Sequence, residues 1–151
     1  MIKFYVPNEK YRPTRSYEDS AGFDLYTVGE HVLDSFQPYR LPTGVYVEIP
    51  TGYVGLLRER SGAHNKKVQL LAGTIESDYR GEIFVVVKWY QPQSSGRQYW
   101  HFPDERFTVK DMDRFAQLVV VKKETDHEFV DSLEQLSTTE RGTGGFGSTG
   151  R

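Results

Sequence analysis

The chain is predicted to be an all-β domain, on three observations. Apolar residues alternate with polar or small ones in short segments, glycine and proline punctuate those segments closely, and the longest apolar runs are β-branched. Val45, Val47 and Ile49 form the clearest alternation, and Pro42-Thr43-Gly44 and Pro50-Thr51-Gly52 are expected to bracket it as turns. Tyr53-Val54-Gly55-Leu56-Leu57 follows as the next strand. Residues 83–89 and 115–121 are nearly continuous apolar runs, suited to strands buried on both faces. Only two stretches read as helical. One is residues 61–67, with Ser61 as candidate N-cap, and the other is a weak turn near residues 130–136. Many short strands with one short helix argue a sandwich or barrel-like domain.

At 151 residues the chain is long enough for one domain with a sizeable core. The expected division is a β core over 1–121, a linker over 122–140 and a flexible glycine-rich arm over 141–151. Residues 90–106, polar and aromatic with Ser94-Ser95-Gly96 at the middle, read as a hairpin insert between two core strands. A net charge of −2 offers no general attraction to nucleic acid or an anionic membrane, so any phosphate binding must come from local clusters. The absence of cysteine excludes disulfides and thiolate metal sites. His31, His64, His101 and His127 are scattered without zinc-ligand spacing. No apolar run reaches membrane-spanning length and the first residues lack a secretory pattern. A soluble cytoplasmic protein is expected.

The most telling segment is the last, Arg141-Gly-Thr-Gly-Gly-Phe-Gly-Ser-Thr-Gly-Arg151. Glycines let backbone N–H groups converge on an anion, arginines bond phosphate, and Thr143, Ser148 and Thr149 add small donors. Phe146 needs something flat to cover. The string reads as a lid for a nucleotide, or as a disordered terminus that orders when occupied. Arg60-Ser61-Gly62 sits where a strand ends and a helix would begin, a place for phosphate oxygens or simply a helix cap. Residues 73–81, Gly-Thr-Ile-Glu-Ser-Asp-Tyr-Arg-Gly, give a compact hairpin with Glu76, Asp78 and Tyr79. A carboxylate there can deprotonate water beside a phosphate, and a tyrosine face can pack on a sugar; an exposed charged turn is the alternative. Strand alternation is expected to point Asp78 away from the site. Asp24, an acid in the apolar frame of residues 21–26, needs an arginine or a metal shell nearby, with Arg114 as candidate partner. Gln117 offers a neutral amide to a phosphate oxygen.

In chain order, residues 21–26, 60–62, 73–81, 113–118 and 141–150 resemble the five motifs of the trimeric dUTPases, which hydrolyse dUTP to dUMP and pyrophosphate. The resemblance implies a distorted jelly-roll-like (β-clip) fold and a homotrimer whose sites are shared between subunits. It implies that the 73–81 hairpin, including Gly73 and Ile75, receives deoxyuridine through backbone groups, with Tyr79 under the deoxyribose. Arg60, Ser61, Gly62 and Gln117 would hold the phosphates, Arg141, Gly147, Ser148 and Thr149 would close on the γ-phosphate, and Phe146 would cover uracil. Mg2+ would bridge the phosphates, with Asp24 touching it through water. Water would attack the α-phosphorus in line, lowering dUTP and supplying dUMP for dTTP synthesis.

Glu76 stands where the family carries its water-activating aspartate, and is expected to remain the base. Leu70 occupies a place where some members read uracil with an amide, and Met112 a turn position where glycine is usual. The 90–106 segment is longer than the usual connection. It is similar to insertions in some phage members, which implies a viral source and the host cytoplasm as location; the insert would contact the site or a protein partner, or be an inert surface hairpin. The related dCTP deaminases need a glutamate where Val86 stands, which excludes deamination. A slow dUTP-binding regulatory protein, acting on a partner through the insert, is the alternative function, and a generic β interaction module would leave the arm unexplained.

Overall fold

The computed structural model describes residues 1–34, 37–60, 68–90 and 106–139. Among them run ten strands: β1 (Lys3–Tyr5), β2 (Phe23–Leu25), β3 (His31–Leu33), β4 (Tyr39–Glu48), β5 (Tyr53–Glu59), β6 (Val68–Ala72), β7 (Thr74–Ile75), β8 (Glu82–Trp89), β9 (Phe107–Val109) and β10 (Ala116–Lys122). The only helical turns among the described residues are two single 3-10 turns, Glu9–Tyr11 and Leu133–Gln135. The second falls inside the weak turn expected near 130–136. The helix expected over 61–67, residues 91–105 of the insert and the whole 141–151 arm lie outside the described residues.

The strands form two four-stranded sheets, ordered β1-β4-β8-β6 and β2-β10-β5-β7, and a small β3-β9 pair. Every ladder is antiparallel. The all-β, jelly-roll-like expectation holds. One apolar cluster joins Leu33, Leu41, Val85, Val87, Trp89 and Phe115; a second joins Leu25, Val45, Val47, Ile49, Leu57, Ile83 and Leu118 across the two sheets. The alternation of Val45, Val47 and Ile49 is thus inward-facing, with all three buried.

Two local expectations are corrected. Pro42-Thr43-Gly44 is not a turn but a bulge inside β4, where the register to β8 shifts between Pro42 and Tyr46. Gly44 takes φ +65°, and the N–H groups of Thr43 and Gly44 that the bulge leaves unpaired both donate to Glu82 Oε1, at 3.2 and 2.8 Å. Pro50-Thr51-Gly52 is a turn as expected, closed by Tyr53 N–H on the Pro50 carbonyl. The runs 83–89 and 115–121 are buried mainly on one face: Ile83, Val85, Val87 and Trp89 point inward, whereas Phe84 and Val86 are half-buried on the outer face. A continuous apolar run shows that both faces tolerate apolar groups; it does not show what covers the second face.

Met112 does adopt the left-handed backbone that favours glycine, at φ 70°. Its N–H donates to the Thr27 carbonyl. The neighbouring Asp111 accepts from Lys10, the Tyr11 hydroxyl and Gly29 N–H, which ties the first 3-10 turn to this tight turn.

Candidate active site

The 73–81 segment forms the mouth of a splayed hairpin. β6 pairs with β8 from Val68↔Trp89 to Ala72↔Val86, and then the arms part. β7 crosses to the other sheet and pairs with β5 through Gly55↔Ile75 and Leu56↔Thr74. Gly73 is the crossing point. Its carbonyl accepts from Leu57 N–H at 2.6 Å, and a Cβ there would lie 2.8 Å from the Leu57 carbonyl oxygen. The expected hairpin is therefore a β6–β8 hairpin opened at its tip by a crossing between sheets. A cavity of about 500 Å³ sits in that opening, lined among others by Arg40, Gly73, Ile75, Glu76, Tyr79 and Phe84.

Residues 76–79 close the tip as a turn, with Tyr79 N–H donating to the Glu76 carbonyl. A turn has no period of two, so Asp78 is not turned away as alternation suggested: it lines the cavity with Glu76. The Tyr79 hydroxyl donates to the Glu82 carbonyl at 2.9 Å, which folds the ring back over Gly81. Glu76 is exposed, and its Oε2 lies 3.9 Å from Lys123 Nζ, a loose pair that leaves the carboxylate able to swing.

The second cluster lies where β2, β10 and β5 meet. Gln117 on β10 is directly opposite Asp24 on β2 and Arg58 on β5. Asp24 is buried, and the structure gives it two arginines rather than one. Arg60 Nε donates to Oδ1 at 2.7 Å and Arg114 NH1 to Oδ2 at 3.1 Å. Arg60 is placed by its own N–H on the Phe115 carbonyl, just past the end of β5. Gly22 must stay small, because a Cβ there would sit 2.8 Å from the Gln117 side-chain oxygen. A polar cavity of about 140 Å³ opens among Ser16, Ser20, Gly22, Asp24, Arg60 and Gln117. A carboxylate that aims a guanidinium beside an amide and two hydroxyls lining a small polar space forms a site that can receive phosphate oxygens and hydrated cations.

Of the site residues read from the sequence, Asp24, Arg60 and Gln117 come together in this cluster, and Gly73, Ile75, Glu76 and Tyr79 in the other. Ser61, Gly62, Arg141, Phe146, Gly147, Ser148 and Thr149 lie outside the described residues. Sequence reading missed Arg40, Ser16, Ser20 and Glu82. Arg40 and the two serines lie in chain segments with no local chemical pattern, and only tertiary pairing brings them to the cavities. Glu82 adjoins Gly81 and could have been suspected from it.

A family model described as dUTPase matches residues 8–150. Among curated proteins, the deoxyuridine 5'-triphosphate nucleotidohydrolase of Rattus norvegicus is 34% identical over 140 residues, covering 92% of this chain. The chain spans 62% of that protein's length and 50% of its mitochondrial counterpart from Homo sapiens. Among solved structures, the Staphylococcus bacteriophage 80alpha dUTPase with dUPNHPP superposes with a TM-score of 0.78 at 29% identity, over 100% of this chain and 99% of that one. A dUTPase mutant from phage phi11 of S. aureus, described with a coordinated structural Mg(II) ion, gives 0.74 at 26% identity over 89% and 99%.

Proposed function

Because the chain belongs to the dUTPase family, we propose that it hydrolyses dUTP to dUMP and pyrophosphate. The observation that carries this reading is the sorting of the family motifs into two complementary half-sites. One is a nucleoside-sized cavity bearing a carboxylate, and the other is a phosphate-sized polar cavity built on an acid and two arginines.

Deoxyuridine enters the splayed hairpin, where Gly73 and Ile75 offer backbone groups and Tyr79 a ring for the sugar. Arg60 and Gln117 bind phosphate oxygens, and Ser61 and Gly62 follow directly on Arg60. Glu76 takes the proton of a water whose oxygen attacks the α-phosphorus, and the bond to the bridging oxygen of the pyrophosphate breaks. Fixed positioning and cationic donors supply most of the rate. A lone carboxylate with both oxygens already bonded to arginine cannot hold a bare divalent ion. The donor set fits a hydrated Mg2+ that Asp24 would hold through water, and the ion would supply charge neutralisation at the phosphates. Arg141, Gly147, Ser148 and Thr149 close over the γ-phosphate and Phe146 over the base.

The two half-sites lie on opposite edges of one sheet. Asp24 and Ile75 are three strands apart and three residues out of level along β5, a separation of roughly 17 Å. That spread fits sites shared between subunits, as in the homotrimer implied by the family resemblance, in which each nucleotide would bridge the hairpin of one subunit and the acid–arginine cluster of another. A purely regulatory, non-hydrolytic role is not favoured by relatives that carry nucleotidohydrolase names. The test is incubation with Mg2+ and dUTP, dTTP, dCTP or UTP, with product identification. dUMP and pyrophosphate are expected from dUTP alone, and binding of dUTP without pyrophosphate release would refute hydrolysis. Removal of residues 141–151 should abolish most turnover while the β core still melts cooperatively; unchanged turnover would remove the arm from the mechanism.

A further inference from the structure

The floor of the nucleoside cavity carries a cation that none of the sequence motifs accounts for. Cross-strand pairing puts Arg40 of β4 opposite Val86 and Pro42 opposite Phe84, so Arg40, Val86 and Phe84 share the outer face of the sheet. Ala72 of β6 is opposite Val86 on the far side. All four residues line the cavity with Gly73, Glu76 and Tyr79. The Arg40 guanidinium carbon lies 4.4 Å from the Phe84 ring centroid. The nearby acid Glu82 has its Oε1 committed to the Thr43 and Gly44 N–H groups. The exposed Arg40 guanidinium thus lies over an aromatic ring that lines the same cavity.

We propose that Arg40 is a specificity-determining residue of the nucleoside cavity, donating N–H groups to the O4 carbonyl of the pyrimidine base. The inference rests on the dUTP reading above. An arginine can only donate. Uracil presents carbonyl oxygens at both O2 and O4, whereas cytosine presents an amino donor at position 4, which faces a guanidinium donor to donor. Stacking on Phe84 removes much of the rotamer freedom of the long side chain, so the discrimination costs little ordering entropy on binding. A bound base would cover the exposed guanidinium, so a cytosine amino group set against it would leave its donors unpaired.

The test compares wild type with Arg40→Met, Arg40→Lys and Phe84→Leu, each checked by thermal melting at one protomer concentration. Arg40→Met keeps the apolar stem and loses the donors. It should raise KM for dUTP about ten-fold, with the effect mainly in KM, and lower the dUTP-over-dCTP ratio of kcat/KM by at least about ten-fold. Deoxyuridine, which has no phosphate, should weaken as a competitive inhibitor by a similar factor. Arg40→Lys should fail to restore discrimination, and Phe84→Leu should lose part of it. Unchanged deoxyuridine inhibition alongside a raised KM for dUTP would place Arg40 on the phosphates and overturn the proposal, as would full discrimination in the lysine or leucine variant. A wild type that neither hydrolyses dUTP nor is inhibited by deoxyuridine would instead sink the functional reading beneath it.

Discussion

Replacing Asp24 by Asn tests whether the buried acid organises the phosphate side of the site. The side chain of Asp24 is 8% exposed, against 28% for Arg60 and 41% for Arg114. Asparagine keeps the volume but turns one accepting oxygen into an NH2 that faces a guanidinium. Each charge-assisted bond is worth about 1.5–3 kcal/mol. One becomes neutral and the other becomes a donor–donor contact. Breaking a fully buried pair costs about 3–5 kcal/mol; the partial exposure of Arg114, which can turn to water, places this case near the lower end, at about 3 kcal/mol. For a chain of this size that corresponds to a fall in Tm of about 6–12 °C. Calorimetric melts at fixed protomer concentration measure it, since assembly would otherwise shift Tm by mass action. Asp24→Asn with Arg114→Met should recover part of the loss, because one unpaired cation is gone. dUTP turnover should fall in the single variant, because Arg60 loses the oxygen that aims it. A Tm within about 2 °C of wild type would refute the argument that this carboxylate holds the two arginines in place.

Glu76→Ala should abolish most turnover with little effect on melting, whereas Asp78→Ala should retain a substantial share; full activity in the Glu76 variant would remove it as base, and the reverse result would move the role to Asp78. Met112→Gly should relieve left-handed backbone strain of about 1–2 kcal/mol against an unfolded-state entropy cost of about 0.4–1 kcal/mol, so a small rise in Tm is expected and a fall of several degrees would contradict it. Lys10, Gly29 and Tyr11 hold the Asp111 carboxyl down from 3.8 to about 2. The folded state therefore binds fewer protons than the unfolded state in that window, and the Asp111 contribution is complete above pH 3.8 and lost as pH falls toward 2. Denaturant titrations should show Asp111→Asn less stable near neutrality with a flatter acid limb; an unchanged acid limb would exclude Asp111 as a source of acid sensitivity.

Strand identity was legible because burial on one face leaves a period-two trace, as at Val45, Val47 and Ile49. The Asp24–Arg114 pair was legible because an acid in an apolar frame needs a cation. Arg60 as a second partner was not, since it follows from the end of β5 meeting Phe115, just ahead of β10. Nor was the bulge at Gly44 legible: Pro-Thr-Gly has the composition of a turn, and only Glu82, 38 residues away, makes it a place in a strand. The crossing at Gly73 shows the same limit. Local chemistry reports a tight bend, while the choice between pairing with β8 or with β5 depends on contacts the segment does not contain.

That choice has consequences for function, because β5 bears on both half-sites. Its Gly55 backs Ile75, and its far end delivers Arg60 to Asp24. A Cβ on Gly55 would lie 2.7 Å from Ile49 Cδ1 and 3.2 Å from Ile75 Cβ, so the bareness of this one residue lets β7 approach. A shift of β5 by one residue would turn every side chain to the other face, and would carry Arg60 away from Asp24. It would also move β7, and with it the turn that presents Glu76. The extra methylene of Glu76 compared with the aspartate implied by the family resemblance operates on the ~1 Å scale at which misplacement can cost ~100-fold in rate. Among the described residues Glu76 pairs loosely with Lys123, at 3.9 Å. Lys123 N–H donates to the Gly52 carbonyl, just before β5 begins. The carboxylate, its lysine neighbour and the phosphate-side arginine are therefore referenced to one strand, and its register fixes how each half-site is presented to the complementary half-site of a neighbouring subunit in the proposed homotrimer.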